Sequence, residues 1–383
     1  MASIRKRTWN TKTGEKSAWI VAYLHHGKQH IRTFKTKKAA SEWRATMTVE
    51  RQKGIHVPAS TSITVTEAGR RWLDQAINDG LEPASVEQYR SHLELHIAPF
   101  LGDVKLAELT AASVEDFRNM LAKGTDRRRS PALIGKVVIS LGSILGHAMA
   151  LGLASRNVVR EAVMHNRRRQ RLAKRHEKHL EVGVDIPTKD ELRLILAHAR
   201  GRWRALIVTA IFTGLRASEL RGLTWKDVDF DAATLRVRQR ADRWGKIGSP
   251  KSASSAREVP LAPMVVNALK EWWLACPQGR LGLVFPDDNG NVVALVVIRR
   301  QALGKTLVAA GLCASPAFPK YSMHNLRHAA ASLFIEDGYN PKRVQALMGH
   351  STIQMTFDTY GHLFPAPQDD QTAMSRIQAR LIG

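Results

Sequence analysis

The sequence predicts a multidomain α+β protein: a small three-stranded sheet with one helix, an all-α bundle, and a mixed, mainly α domain with a small β-sheet. The length of 383 residues suits two or three domains, and 44% of the residues are apolar, which is enough for separate buried cores. Apolar residues alternate near the amino terminus, as in strands, and recur at helical spacing along much of the remaining chain.

The chain is strongly basic. It has 58 Lys and Arg against 34 Asp and Glu, which gives a formal net charge of +24 at pH 7. This charge exceeds what solubility requires, so we expect a strongly anionic partner, with nucleic acid ahead of an acidic membrane surface.

The two cysteines, Cys276 and Cys313, predict neither a zinc site nor a disulfide framework. They have no CxxC spacing and no histidine cluster beside them. The amino terminus lacks the apolar core of a signal peptide, and no apolar run reaches 18 residues. We therefore expect a cytoplasmic protein with no metal, no cofactor and no membrane insertion.

Residues 1–57 are expected to form a small DNA-binding domain. They carry 13 Lys and Arg against 3 Asp and Glu. Alternation over 17–24 and 30–34 predicts strands, and apolar spacing over 38–53 predicts a helix behind a three-stranded sheet. Such sheets enter DNA grooves, and the alternative is a basic appendage that only aids solubility. The candidate DNA contacts are Arg5, Lys6, Arg7, Lys35 and Lys37.

Residues 62–159 predict an all-α domain. A capping box of Thr64 and Glu67 opens the first helix, and Pro83 and Pro131 each suit the first turn of a later one. The apolar stripes of these helices predict a core and carry no chemistry.

A basic linker is expected at residues 160–184, before a third domain at 185–383. From 160 to 180 there are 8 Lys and Arg against 2 Glu, including Arg167, Arg168 and Arg169. Two interpretations stay open: a segment that is disordered until bound, or a strap that lies on phosphates between two clamping domains.

The last 200 residues contain four short stretches with candidate chemistry. In the first, Gly214 ends an apolar helix and Arg216 emerges from the turn, where its guanidinium can fork onto two phosphate oxygens. Glu219 is interpreted as a structural acceptor that orients the loop. In the second, a predicted hairpin between 234–239 and 257–261 carries Lys251, which by itself resembles an ordinary solvated lysine.

The third stretch begins a helix with His324 and Arg327 at i and i+3, so both lie on one face of its first turn. The fourth contains His350 and, ten residues later, Tyr360. Taken separately, His350 could equally be a helix-end histidine with its hydrogen bonds satisfied. Tyr360 could equally be an aromatic residue at an interface.

Together these residues form a metal-free set for attack on a phosphodiester. Arg216 and Arg327 would stabilise the negative charge that grows on the non-bridging oxygens of the pentavalent transition state. A phenol with a pKa of about 10 is a poor nucleophile at neutral pH, so Tyr360 needs a proton acceptor and an electropositive site. His324 is the candidate base.

Two further roles complete the set. The departing sugar 5′-oxygen is strongly basic, and Lys251 is the candidate general acid that protonates it. His350 would hydrogen-bond the phosphate and help to hold it.

These stretches resemble the active site of the tyrosine recombinases of the phage-integrase type. That family has an arginine in a TGLRxSEL-like box, a hairpin lysine, an HxLR box, an LGHS-like box and a tyrosine about ten residues later. The matching residues here, in the family's order, are Arg216, Lys251, His324, Arg327, His350 and Tyr360. Met348 stands where the family often has leucine. Residues 62–159 resemble the core-binding, SAM-like domain and residues 1–57 the arm-binding domain.

The resemblance implies a site-specific recombinase with a catalytic domain at 185–383. Tyr360 would form a 3′-phosphotyrosyl bond, which a 5′-hydroxyl of another strand reverses, without ATP or metal. The expected partners are double-stranded DNA, with core-type and arm-type sites, and three further copies in a homotetramer on paired sites. A short amphipathic helix at the carboxyl terminus, with Met374, Ile377 and Leu381, would dock on its own or on a neighbouring subunit.

Alternatives stay open at this stage. A type IB topoisomerase would use nearly the same residues, and a DNA-binding regulator with a dormant site would have the same charge. A metal-dependent transposase needs clustered carboxylates, whereas Asp227, Asp229 and Asp231 read as a turn. The target site, the direction of recombination, and any accessory DNA-bending protein or excisionase stay undetermined.

Overall fold

The computed structural model describes residues 2–11, 14–124, 129–162, 180–250, 252–365 and 370–382. The chain divides into two compact units, residues 1–176 and 177–383. The predicted Arg167, Arg168, Arg169 and Lys251 lie outside the described residues.

The first unit begins with an antiparallel three-stranded sheet in the order β1-β2-β3. Its strands are β1 (Ser3–Thr11), β2 (Gly14–His25) and β3 (Lys28–Phe34), and they are followed by helix α1 (Lys37–Gln52). One sheet face packs on α1, where Tyr23 and Phe34 contact the Trp43 ring at centroid distances of 5.5 Å. The predicted sheet with one helix is therefore confirmed.

The rest of this unit is helical, as predicted. Its elements are α2 (Val65–Asn78), α3 (Pro83–His92), a π-helical turn at Leu93–Ile97, α4 (Ala98–Leu101), a 3₁₀ turn at Leu106–Glu108, α5 (Ala111–Lys123) and α6 (Pro131–Ala150). Thr64 and Glu67 form the predicted capping box. By length and composition α6 could cross a membrane, but eight of its residues are buried in the core of the bundle. Residues 158–162 are also helical and Ala162 is buried on the bundle, so the helical region extends past the predicted boundary at residue 159.

The second unit starts with α7 (Lys189–His198), α8 (Gly201–Thr213) and α9 (Ala217–Gly222). A small antiparallel sheet follows, in the order β4-β5-β8, made of β4 (Val228–Asp229), β5 (Thr234–Val237) and β8 (Arg257–Pro260). Two short strands, β6 (Arg240–Ala241) and β7 (Ile247–Gly248), pair within the β5–β8 connection. The predicted hairpin between 234–239 and 257–261 is confirmed by the pairing of β5 with β8.

Helices make up most of the remaining chain. They are α10 (Pro263–Ala275), α11 (Leu295–Val297), a π-helical segment at Ile298–Gly304, α12 (Lys305–Ala309), α13 (Met323–Glu336), α14 (Pro341–Met348), α15 (Ile353–Tyr360), a 3₁₀ turn at Gly361–Leu363 and α16 (Asp370–Ile382). One large apolar core joins α7–α10, the small sheet and α13. The predicted mainly α domain with a small sheet is thus confirmed, and its core fixes the helix ends that build the site.

Candidate active site

Two helices of the second unit end at glycines whose carbonyl oxygens face arginines. Gly214 follows α8 with φ 63° and Gly349 follows α14 with φ 62°, both in the left-handed region that glycine favours. The last carbonyl groups of a helix have no partner within it and lie at the negative end of its dipole. Cationic side chains are therefore stabilised at both ends.

Arg327, on α13, is buried between these two helix ends. Its Nη1 donates to the Gly214 carbonyl oxygen at 2.5 Å, and its Nη2 donates to the Met348 carbonyl oxygen. Burial lowers the pKa of Arg327 to about 9, with a further lowering from Arg216. The side chain is still cationic at pH 7, because its pKa stays above that value.

Arg216 caps the start of α9 and bridges the same region. Its backbone N–H donates to Glu219 Oε2 at 2.9 Å, its Nη1 donates to Glu219 Oε1 at 2.7 Å, and its Nη2 donates to the Gly349 carbonyl oxygen at 2.9 Å. The Arg216 side chain keeps 30% of its surface exposed. This arginine is therefore held in place at one side and open at the other.

Glu219 orients Arg216 together with a second arginine that the sequence did not single out. Arg257, the first residue of β8, donates from Nη2 to Glu219 Oε2 at 2.9 Å and from Nε to the Leu347 carbonyl oxygen at 2.6 Å. Burial raises the pKa of the Glu219 carboxyl, but the charge and hydrogen bonds of Arg257 and Arg216 outweigh it and hold that pKa below its ordinary value. Glu219 is therefore an ionised structural acceptor, and its burial, which only the structure shows, accounts for the second arginine beside it.

Tyr360 is the last residue of α15 and is 1% exposed. Its phenol lies in a hydrogen bond with His328 Nδ1 at 2.8 Å, and its ring stacks on that of His350 with centroids 6.1 Å apart and planes 13° from parallel. Burial raises the pKa of Tyr360 to about 12, although Arg327 and Arg216 act in the opposite direction. The phenol is thus neutral in this arrangement. The apolar side chains around it belong to Ala331, Ile335, Val344 and Met348.

Two histidines contact Tyr360, and a third contacts one of those two. His324, on the exposed side, meets the His328 ring edge-on with centroids 4.4 Å apart. His350 Nδ1 shares a hydrogen bond of 2.9 Å with Thr356 Oγ1. Burial, with nearby cationic and histidine side chains, lowers the pKa of His328 to about 4 and that of His350 to about 3. The pKa of His324 is also lowered, by partial burial and by Arg327 and Arg216.

The structure brings together five of the six predicted catalytic residues, and the sixth, Lys251, lies outside the described residues. The five are Arg216, His324, Arg327, His350 and Tyr360. His328 was missed, although it follows His324 by four residues and so shares its helix face.

Across the described ranges, no three His, Cys, Asp or Glu side chains converge in a way that could hold a metal ion. A phenol with a hydrogen-bond acceptor beside two guanidinium groups is suited to attack on an anionic phosphorus centre.

Comparison with known families agrees with this chemistry. The pattern of the phage integrase family matches residues 187–366, which contain all six predicted catalytic residues. The pattern of the N-terminal SAM-like domain of phage integrases matches residues 64–122, within the helical part of the first unit.

Individual relatives extend the match over most of the chain. The tyrosine recombinase XerC-like protein of Caldanaerobacter subterraneus subsp. tengcongensis is 25% identical over 86% of this chain and 87% of its own. The integrase of Mycobacterium phage D29 is 25% identical over 92% of each chain.

Two solved structures share the fold. A Tn1549 transposon integrase in complex with a circular intermediate DNA has a TM-score of 0.64 and 21% identity, over 83% of this chain and 99% of that one. A lambda integrase tetramer bound to a Holliday junction has a TM-score of 0.54 and 18% identity, over 90% and 95% of the two chains.

The fold and the matched domains together define a DNA strand-cleaving and rejoining enzyme. The chain belongs to the tyrosine recombinases of the phage-integrase family, whose activity is site-specific recombination.

Proposed function

We propose that this protein is an integrase that inserts or excises a mobile element through a 3′-phosphotyrosyl intermediate formed by Tyr360. The observation that carries the proposal is the Tyr360 phenol, which is hydrogen-bonded to a histidine and lies within electrostatic reach of Arg216 and Arg327. Its relatives include the integrase of Mycobacterium phage D29 and a putative prophage integrase of Mycobacterium tuberculosis.

The roles of the cationic groups follow from their positions. Arg216 is partly exposed and fixed by Glu219, so its free N–H groups can receive a phosphate without first losing much side-chain freedom. Arg327 adds buried positive charge, which stabilises an anionic transition state more strongly than a solvated charge would.

The remaining predicted residues act on the phosphate and the leaving group. His350 contributes to holding the phosphate, and Lys251 donates the proton that the departing 5′-oxygen requires. The tyrosyl ester conserves the energy of the phosphodiester bond, so rejoining by a 5′-hydroxyl needs no ATP.

The amino-terminal sheet is proposed to read arm-type DNA through the face that α1 leaves open. Because paired residues of an antiparallel sheet share a face, Arg5 and Arg7, which pair with Ile20 and Ala18, lie opposite the Tyr23 side, whereas Lys6 pairs with Trp19 on the α1 side. Replacing Arg5 and Arg7 by Gln is expected to weaken DNA binding and reduce its salt dependence more than replacing Lys6 by Gln. Equal losses in a salt titration would contradict this choice of face.

The other predicted DNA contacts lie beside this sheet or outside the described chain. Lys35, between β3 and α1, and Lys37, the first residue of α1, are both exposed, and Lys37 Nζ lies 5.6 Å from the centre of the Trp19 ring. They are proposed to contact phosphates rather than bases. Arg167, Arg168 and Arg169 lie outside the described residues, and their contact with phosphates stays a prediction.

The active assembly is proposed to be a homotetramer on paired DNA sites in the cytoplasm of a bacterial host. The lambda integrase tetramer, which shares the fold, supports this assembly. Helix α16 leaves Met374, Ile377 and Leu381 65%, 58% and 83% exposed, and we propose that a neighbouring subunit covers this stripe. An accessory DNA-bending protein or an excisionase would set the direction of recombination.

A covalent-capture experiment tests the proposed reaction. The protein is incubated with a pool of randomised duplexes, denatured in detergent, and the strands that stay bound are sequenced. We expect an oligonucleotide joined through its 3′ phosphate to Tyr360, together with released strands that carry 5′-hydroxyl ends. A 5′-linked adduct would contradict the proposed polarity.

The captured sites then separate the three candidate functions. A recombinase joins two duplexes that carry the site, whereas a type IB topoisomerase relaxes supercoils and never joins them. A dormant regulator binds the site without forming an adduct.

A further inference from the structure

We propose that His328, rather than His324, accepts the Tyr360 proton during cleavage and returns it during rejoining. This inference deepens the proposed function and rests on it. In the forward step the Tyr360 O–H bond breaks, the proton moves to His328 Nδ1, and the phenolic oxygen bonds to phosphorus. The bond from phosphorus to the 5′-oxygen breaks, and that oxygen takes a proton from Lys251. Rejoining reverses each transfer.

The geometry favours His328 over the other two histidines near the phenol. A general base must lie within hydrogen-bond reach of the proton that it removes, and His328 Nδ1 lies 2.8 Å from the Tyr360 oxygen. The His350 ring is stacked on the tyrosine ring, and its Nδ1 is occupied by Thr356 Oγ1. The His324 ring meets the His328 ring edge-on, so His328 is the histidine of this pair that contacts the phenol.

The electrostatic surroundings suit a base that is free before the reaction. The charged and titratable groups that face His328 and Tyr360 are His324, Arg327, Arg216, His350 and Asp185. Burial and the cationic neighbours keep the pKa of His328 far below 7, so at neutral pH the imidazole has an unprotonated nitrogen. The tautomer with its proton on Nε2 accepts the phenolic hydrogen at Nδ1.

Bound DNA makes the transfer easier than it is in the free protein. The phosphodiester brings a negative charge beside Arg216 and Arg327, and this charge favours a protonated imidazole nearby. His328 follows Arg327 directly on α13, so the proposed base and a phosphate-binding arginine share one rigid helix. His324, which is exposed one turn earlier on that helix, is then available to the phosphate itself.

The test uses full-length protein and a duplex that carries the captured site, with single-turnover cleavage as the readout. His328→Asn places an amide oxygen where Nδ1 lies, so it can still accept a hydrogen bond but cannot take up the proton. We expect its cleavage rate to fall by about 10² to 10⁴-fold, which is the range for loss of a general base. His324→Asn is the matched control on the same helix face.

Replacing Tyr360 by 3,5-difluorotyrosine shows whether His328 removes the phenolic proton or only holds the tyrosine in position. The fluorines lower the pKa of the phenol, so less help from a base is needed. We expect this residue to restore much of the cleavage rate of His328→Asn and little of that of His324→Asn. We also expect His328→Asn to lose the acidic limb of the pH–rate profile that protonation of the base produces in the wild type.

Each result has one consequence. A wild-type rate in His328→Asn, a faster rate, or no restoration by difluorotyrosine overturns the role of His328 while leaving the proposed reaction intact. A wild-type protein without an adduct, or an adduct that persists in Tyr360→Phe, overturns the proposed reaction and this inference with it.

Discussion

Two buried tyrosines of this protein are each hydrogen-bonded to a histidine, and only one of them, Tyr360, is proposed as a nucleophile. In the amino-terminal unit, the Tyr23 hydroxyl lies 3.0 Å from His56 Nε2, and in the second unit the Tyr360 hydroxyl lies 2.8 Å from His328 Nδ1. Burial raises the pKa of both phenols. The tyrosine–histidine pair by itself therefore does not distinguish a structural contact from a nucleophile.

The two pairs differ in the charged groups that lie next to each histidine. His56 Nδ1 lies 3.0 Å from a Glu50 carboxylate oxygen, so the first network ends in an anion and repels a phosphate. The charged neighbours of His328 include Arg327 and His324. Arg216, in the same network, is 30% exposed to solvent. Against the effect of burial, Arg32 and Arg51 lower the pKa of Tyr23, and the Arg32 guanidinium lies over the rings of Phe34 and Trp43. The two phenols therefore differ in the charge that surrounds them, and this difference is why we propose Tyr360, and not Tyr23, as the nucleophile.

The largest effect should come from removing each hydroxyl in turn. Tyr360→Phe is expected to abolish the covalent adduct with DNA and to leave DNA affinity nearly unchanged, because the nucleophilic oxygen is lost and the ring still packs. Tyr23→Phe should leave the adduct intact. Denaturing gels and binding titrations of both variants measure this, and an adduct lost in Tyr23→Phe would break the comparison.

Neutralising the carboxylate of each network should lower the free energy of unfolding of the protein by different amounts. Glu219→Gln leaves the buried Arg257 without its counter-ion, and we expect the free energy of unfolding to fall by about 3 kcal/mol. Glu50→Gln should cost about 1 kcal/mol, because the Glu50 side chain is 20% exposed and the new amide can keep a hydrogen bond to the His56 ring. Denaturant unfolding measures both values, and a larger loss in Glu50→Gln would reverse this ranking.

Replacing one arginine of each network by lysine should slow DNA cleavage only when the arginine belongs to the Tyr360 network. Arg216→Lys keeps the charge but loses the forked donors, so we expect cleavage to slow by more than about 10-fold. Arg32→Lys, the matched control, should alter cleavage little because Arg32 stacks on aromatic rings. Single-turnover cleavage rates decide this, and equal rates for wild type and Arg216→Lys would remove Arg216 from the reaction.

The last prediction concerns the dependence of stability on pH. The folded-state pKa values of His328 and His350, about 4 and about 3, lie below the ordinary value, so the unfolded chain binds more protons as pH falls from about 6.5. The stability that these two histidines contribute is therefore complete above about pH 6.5 and is lost progressively towards pH 4 and 3. Denaturant unfolding at several pH values should show a shallower loss in His328→Asn than in the wild type. An unchanged slope would contradict the buried, neutral state of His328.

Local sequence signals were sufficient for most of the fold. The capping box at Thr64 and the glycine after α8 begin and end helices where predicted, because capping and left-handed glycine depend on neighbouring residues only. Helical residues continue to 162, the last described residue before 180, where burial of Ala162 on the bundle stabilises a segment of weak periodicity.

The sequence by itself determined which residue types meet in the site, since Arg216, His324, Arg327, His350 and Tyr360 stand in motifs whose chemistry depends on side-chain type and spacing. Only the tertiary structure decided which nitrogen contacts the phenol, and that Arg257 neutralises Glu219. Those contacts join α13 to α15 and β8 to α9, elements far apart along the chain. Their distances depend on how the core packs the helices, which no local pattern specifies.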